Sequence, residues 1–388
     1  MQTAPWVPAS DDVVLQEVPP STDPRVRKFD QLRAQLRSNP NDMHAALTLA
    51  RAYIDYGRST GDARFIGRAL AVIEPWLKQS PIPVPVALLH ATIRQNRHRF
   101  KDARAQLQHI VQREPGNAQA WLTLATVAMV QGDLGTANHA CIKLASTGGN
   151  FMGTACTASL RALSGHNAQA MALLRLIQDP GPKAPADIKS WIQGLMADVA
   201  VRMGDAGLAE RHFQQALQWT PDDNFLLADY ADFLLDQGRP AEAASLVRPY
   251  AQSDTSFLRM VMAEKAQGLP AAESDAHTMQ ERFAAMDERG SHVYRREQAG
   301  FVLQVLGQPD QALRLARQNW QVQRAPKDVL VYLQAALAAD KPEDAQPALR
   351  FVARTGLDDA RLTPLITALG QKMDMTGQTR SSTQGDAP

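Results

Sequence analysis

The chain has 388 residues, with 41 Lys and Arg against 40 Asp and Glu, so a formal net charge of +1 gives no general attraction to nucleic acid or a membrane surface. Aromatics make up only 6%, and Ala, Leu and Gln are abundant, a balance that favours an all-α protein over a sheet. No apolar run approaches the ~20 residues needed to span a bilayer, so no membrane span is expected.

The length has room for two or three globular domains or for one extended repeat array. Residues 1–20, "MQTAPWVPASDDVVLQEVPP", carry neither the basic nor the apolar stretch of a secretory signal and are expected to form an extended segment. Their polar, proline-rich character is that of residues left after a leader has been cleaved. Residues 21–39 form an expected capping helix, with Asp23 as N-cap and Pro24 at the first helical position. Val26, Phe29, Leu32 and Leu36 follow at helical spacing.

From residue 40 to 356 the chain repeats itself. Small residues recur at Ala50, Ala91, Ala125, Ala158, Ala197, Ala231, Ala263, Gly300 and Ala336, at intervals of 32 to 41 residues. A second Ala follows most of them twelve residues later: Ala103, Ala137, Ala170, Ala209, Ala243, Ala312 and Ala348. Turn signals such as "QGDLG", "MGDAG" and "QGRPA" lie between the two, and Pro40, Pro81, Pro115 and Pro221 close units. Small residues let two helices approach closely, and a period of this length marks a solenoid, since one helical hairpin cannot bury its apolar face alone. The first unit carries about seven extra residues in its turn, and the fourth, seventh and ninth units are degenerate. Residues 357–373 form an expected closing helix starting or broken near Pro364, and 374–388 an expected disordered tail.

This pattern resembles the tetratricopeptide repeat, best in the third unit (Pro115, Trp121, Leu124, Ala125, Ala137) and the fifth and sixth (Ala197, Gly204, Ala209, Phe213, Pro221; Ala231, Gly238, Ala243). The resemblance implies a right-handed superhelix of about nine helical hairpins. It also implies a concave groove lined by the first helix of each hairpin. In the later units the groove positions hold an aromatic row, Trp191, Phe225, Phe257 and Tyr294, beside Asp198, Asp232, Glu264 and Phe301, with Asp236 nearby. Such a groove would take a protein or extended peptide with apolar and basic side chains. The competing expectation is that the rings pack against the preceding helix. The lysine and asparagine clamp of chaperone-binding members is missing from the first three units.

Cys141 and Cys156 fall on consecutive helices of the implied array, either as buried small hydrophobes or as a disulfide pair. A disulfide belongs to an oxidising compartment, and "APWVPASDD" resembles the start of exported bacterial repeat proteins. The expected location is therefore the periplasm, with the cytoplasm as the alternative.

Chemistry-bearing motifs are few. The nine histidines form no zinc-protease pair, and "STGGNFMGTAC" lacks the order of a phosphate-cradling loop. Glu273, His277 and Glu281 share one helix face, which reads as a solvated surface. No metal, cofactor or nucleic-acid partner is expected, and no residue is assigned a catalytic role. The functional reading is a non-catalytic protein-binding scaffold in a bacterial envelope assembly. The alternative is an assembly or maturation factor that holds a client transiently, and no residue constellation supports an enzyme.

Overall fold

The computed structural model describes residues 23–383, with side chains to Asp374; the expected extended segment 1–20 and the tail end 384–388 lie outside the described residues. Twenty α-helices and no strand are found among the described residues. Helix α1 (Pro24–Ser38) begins with Asp23 accepting from the Arg25 amide and Pro24 at its first position. Nine antiparallel hairpins follow. They are α2 (Met43–Thr60) with α3 (Arg64–Leu77), α4 (Val84–Asn96) with α5 (Phe100–Arg113), and α6 (Ala118–Val130) with α7 (Leu134–Gly148). Next come α8 (Asn150–Leu163) with α9 (Asn167–Leu176), α10 (Ala186–Met203) with α11 (Ala206–Trp219), and α12 (Asn224–Asp236) with α13 (Pro240–Val247). The last three are α14 (Asp254–Gln267) with α15 (Ala271–Glu288), α16 (Arg295–Gln304) with α17 (Pro309–Trp320), and α18 (Pro326–Ala338) with α19 (Gln346–Thr355). Helix α20 (Leu362–Thr383) closes the array and runs past residue 373, so the first part of the expected disordered tail is helical.

The small residues explain the hairpins. Ala125 on α6 and Ala137 on α7 are both fully buried, as are Ala50, Ala91, Ala158, Ala197, Ala231, Ala263 and Ala336 and the second alanines Ala103, Ala170, Ala209, Ala243, Ala312 and Ala348. With only a methyl group at the crossing, two backbones pack at close range while the larger side chains interlock around them. Asn117 and Asp133 cap α6 and α7 by accepting from the Ala120 and Thr136 amides, and Gly132 turns the chain between them at φ 72°. Each hairpin buries its outer side against the next: Phe213 of α11 lies 5.1 Å from the Tyr230 ring and 5.6 Å from the Phe233 ring of α12. The extra residues of the first unit are not a long turn. They extend α2 to Thr60.

That extension has a consequence for the whole molecule, because the superhelix coils until its second winding rests on its first. The Asn224 side-chain amide donates to the Ser59 carbonyl at the end of α2, and Arg25 lies 3.3 Å from Asp222. Further along the seam the Arg324 amide donates to the Val130 carbonyl at 2.7 Å, and the Asn167 side chain donates to the Asp358 carbonyl at 2.9 Å. The Ala360 amide donates to the Arg202 carbonyl at 2.9 Å. The later partner lies beside a link each time: between hairpins five and six for Asp222 and Asn224, between eight and nine for Arg324, and between hairpin nine and α20 for Asp358 and Ala360. The two edges of one helical ribbon therefore seal against each other.

Cys141 on α7 and Cys156 on α8 form a disulfide, with Cα atoms 5.5 Å apart, within the range the bond requires. No cysteine is free.

Candidate protein-binding surfaces

The aromatic row does not form a continuous exposed strip. Phe225, at the start of α12, is 57% exposed. Phe257 is buried, with the Arg282 guanidinium 4.2 Å from its ring centre, and Phe301 is fully buried 5.6 Å from the Phe283 ring of the preceding helix α15. Trp191 and Tyr294 are half-buried against the main core. For Phe257 and Phe301 packing against the neighbouring helix α15 wins, through Arg282 and Phe283. Burial also pushes the Tyr294 hydroxyl up to about 12.

The acidic residues divide in the same way. Glu264 is 3% exposed, and burial, reinforced by Asp275 on α15, raises its carboxyl above the usual range. Its Oε2 is buried without a hydrogen-bond partner, and it is not part of a groove surface. Asp198, Asp232 and Asp236 do face the interior of the superhelix. Each is met there by a cation of the same chain. Asp232 accepts from Arg259 at 2.8 Å and from Lys327 at 2.9 Å. Burial alone would raise its carboxyl; the Arg259 and Lys327 charges outweigh that and hold it well below the usual range. Asp198 pairs with Arg202 one turn along α10, and Arg361 Nη1 lies 3.5 Å from Asp236. Asp198 is lowered by the Arg202 charge against its burial, whereas burial wins at Asp236 and raises it.

Arg202 sits on α10 itself, whereas Arg259, Lys327 and Arg361 come from later in the chain. Lys327, at the start of α18, also bonds Asp229 at 2.6 Å. Pro326 lines a pocket of about 150 Å³ with Ser159, Leu163, Leu195, Asp198 and Arg202. Arg324 holds Val130 through its amide. The segment Arg324–Asp328 thus crosses the inside of hairpins three to six, and Asp328 anchors it by accepting from the Asn319 side chain at 2.8 Å and the Ala325 amide at 2.7 Å. It is a basic, proline-containing stretch on an acidic face. A repeat period carries no mark for Lys327 and Arg361, since it reports what each unit shares with its neighbours and not a contact several hairpins away; Arg202 and Arg259 are local partners, one turn along α10 and on the next hairpin.

Phe225 is exposed, and the side chains of Asp198, Asp229 and Asp236 are half-exposed. A ring flanked by carboxylates can hold an apolar side chain and pair with nearby cations. Elsewhere, His277 lies 3.3 Å from Glu281 on an exposed face of α15. No group of three His, Cys, Asp or Glu side chains among the described residues is arranged to hold a metal ion. No helix among the described residues is long and apolar enough to cross a membrane.

Residues 88–138 and 200–260 each match a family model described as tetratricopeptide repeat. No curated protein matches the chain in sequence. Among solved structures, the chain is similar to one in the crystal structure of the APC/C hetero-tetramer Cut9-Hcn1, at 13% identity and a TM-score of 0.46, over 88% of this chain. It spans 58% of that protein's length. It is also similar to a tetratricopeptide repeat protein from Parabacteroides merdae, at 11% identity and a TM-score of 0.39, over 80% of this chain and 99% of the other. The two matched stretches, set within nine helical hairpins with buried small residues at their crossings, make this chain a member of the tetratricopeptide-repeat superfamily, a protein-interaction scaffold.

Proposed function

We propose that this scaffold serves a bacterial envelope assembly and takes a partner segment with apolar and basic side chains at the open part of its groove, around Phe225, Asp229 and Asp236. The observation that carries the reading is internal: Lys327 of the chain's own Arg324–Asp328 segment already bridges Asp229 and Asp232 at 2.6 and 2.9 Å. The acidic face suits basic, proline-containing sequence, and the half-exposed carboxylates of Asp229 and Asp236 can each accept from a second such segment. Phe225 supplies the apolar anchor, because a large ring left 57% exposed on a concave face is what a partner side chain would cover. The Cys141–Cys156 disulfide supports an oxidising compartment such as the periplasm.

Binding of a labelled basic-apolar peptide to the full chain tests the reading. Phe225→Ala should weaken the complex by about 2 kcal/mol without lowering the melting temperature, since the ring is solvent-exposed. Asp229→Lys should slow association and reduce its salt dependence. Unchanged affinity in both variants would remove the groove as the partner site.

A further inference from the structure

At the seam between the two windings lies a cleft of about 750 Å³, whose lining includes neither Phe225 nor Asp229 nor Asp236. Its walls come from α5 of the early winding and from the ends of α17 and α19 of the late one. Lys101, Arg104, Arg324 and Arg354 line it, with Asp133 as the acid in its lining. Asp133 is already taken: it lies 2.7 Å from Arg104 and also caps α7. Among the described residues, no carboxylate pairs with Lys101, Arg324 or Arg354. The cleft therefore holds an uncompensated positive charge in a chain whose overall balance is close to neutral.

Its frame is rigid. The Arg324 amide is tied to Val130, and a Cβ built on Gly132 would fall 2.5 Å from the Phe351 ring, so the two windings meet there without slack. The Arg324 and Arg354 guanidinium groups each sit 5.6 Å from a ring centre, over Trp320 and Phe351, which orients them while leaving donors free. Val322, 39% exposed, gives the rim an apolar contact.

We propose that this cleft is a second docking surface, one that takes an Asp- and Glu-rich segment of a partner protein. Cations spread over three chain elements suit carboxylates strung along an extended polypeptide better than one compact anion. A single-stranded nucleic acid would need open aromatic faces on which bases could stack, and the two rings near this cleft, Trp320 and Phe351, are buried. The surface is distinct from the groove and of opposite charge, so the two together would join an acidic segment and a basic one on a single scaffold.

Fluorescence anisotropy with the full chain tests this, using a labelled Asp/Glu-rich peptide with one leucine, its Asn/Gln counterpart, and a single-stranded oligonucleotide. The acidic peptide should bind, and binding should weaken as salt is added. Lys101→Glu combined with Arg354→Glu should lower the affinity at least about tenfold. Both side chains are exposed, so the melting curve should stay in place, and the neutral pair Lys101→Gln with Arg354→Gln should give an intermediate loss. Phe225→Ala should leave this binding unchanged, which separates the cleft from the groove. Absence of saturable binding, equal binding by the charge-reversed variant, or tighter binding of the oligonucleotide would overturn the proposal.

Discussion

The Lys327 ammonium donates to the Asp232 carboxylate at 2.9 Å although 95 residues separate the two, so a late hairpin is fastened into the groove of an early one. The two partners differ in what their loss leaves behind. Removing Asp232 strands Arg259, whose side chain is only 7% exposed, while Lys327 keeps its bond to Asp229. Asp232→Ala should therefore cost about 3 to 5 kcal/mol. Lys327→Ala leaves Asp232 paired with Arg259 and should cost about 1 kcal/mol. Urea unfolding measures both, and the reverse order would contradict the arrangement.

Two glycines test the seam with matched backbones. Gly165 and Gly238 have φ of 77° and 69°, so alanine at either one meets the same left-handed penalty of about 1 to 2 kcal/mol. A Cβ at Gly238 meets open space, whereas one at Gly165 would fall 2.0 Å from the Gly356 carbonyl across the seam. Gly165→Ala should thus lower the melting temperature clearly more than Gly238→Ala and raise the radius of gyration in scattering. Equal effects would mean that the windings part freely.

Reduction of Cys141–Cys156 should lower stability by about 3 kcal/mol, because the bond closes a short loop in the unfolded chain. Thermal melts with and without reductant measure it, and Cys141→Ala with Cys156→Ala should melt alike under both conditions.

Acid should loosen the seam through His98. This residue turns the chain at φ 54° between α4 and α5, stacks 5.0 Å from the Phe100 ring and faces Arg296 and Glu297 of α16. Burial lowers its pKa from 6.5 to about 4; Arg296 adds to the shift and Glu297 opposes it. The unfolded chain therefore takes up the proton first. Stability contributed by His98 is complete above about 6.5 and is lost as the pH falls towards about 4. His90, lowered to about 4 by burial and by Arg94 and Arg99, acts in the same direction. Asparagine tolerates the left-handed backbone, so His98→Asn should fold and show a smaller drop in melting temperature between about pH 7 and about pH 5. An unchanged drop would exclude His98 as a contributor.

The local architecture was legible because it is written in neighbours. Ala125 and Ala137 announce a close crossing within one hairpin, and Cys141 and Cys156 fall on helices that the repeat makes adjacent. The coil closing on itself was not legible. Ser59 meets Asn224 through residues that look like an irregular insertion in the first unit. Lys327 looks like an ordinary charge at the start of a helix. Groove positions in the repeat pattern include Phe257 and Phe301, which pack against α15 as the competing expectation has it, and Glu264, which is buried. The seam cleft was invisible for the same reason, since its cations lie in three distant segments and meet only when the windings touch.

Both proposed binding surfaces have their observed form only while the windings are in contact, and amide hydrogen exchange measures that contact directly. The Arg324 and Ala360 amides lie in links between helices, and their backbone acceptors, Val130 and Arg202, lie across the seam. If the superhelix is closed in solution, both amides should exchange as slowly as amides in the buried helices, and Gly165→Ala should accelerate them selectively. Exchange at the rate of exposed links, with the helices still protected, would show an open superhelix and contradict the account.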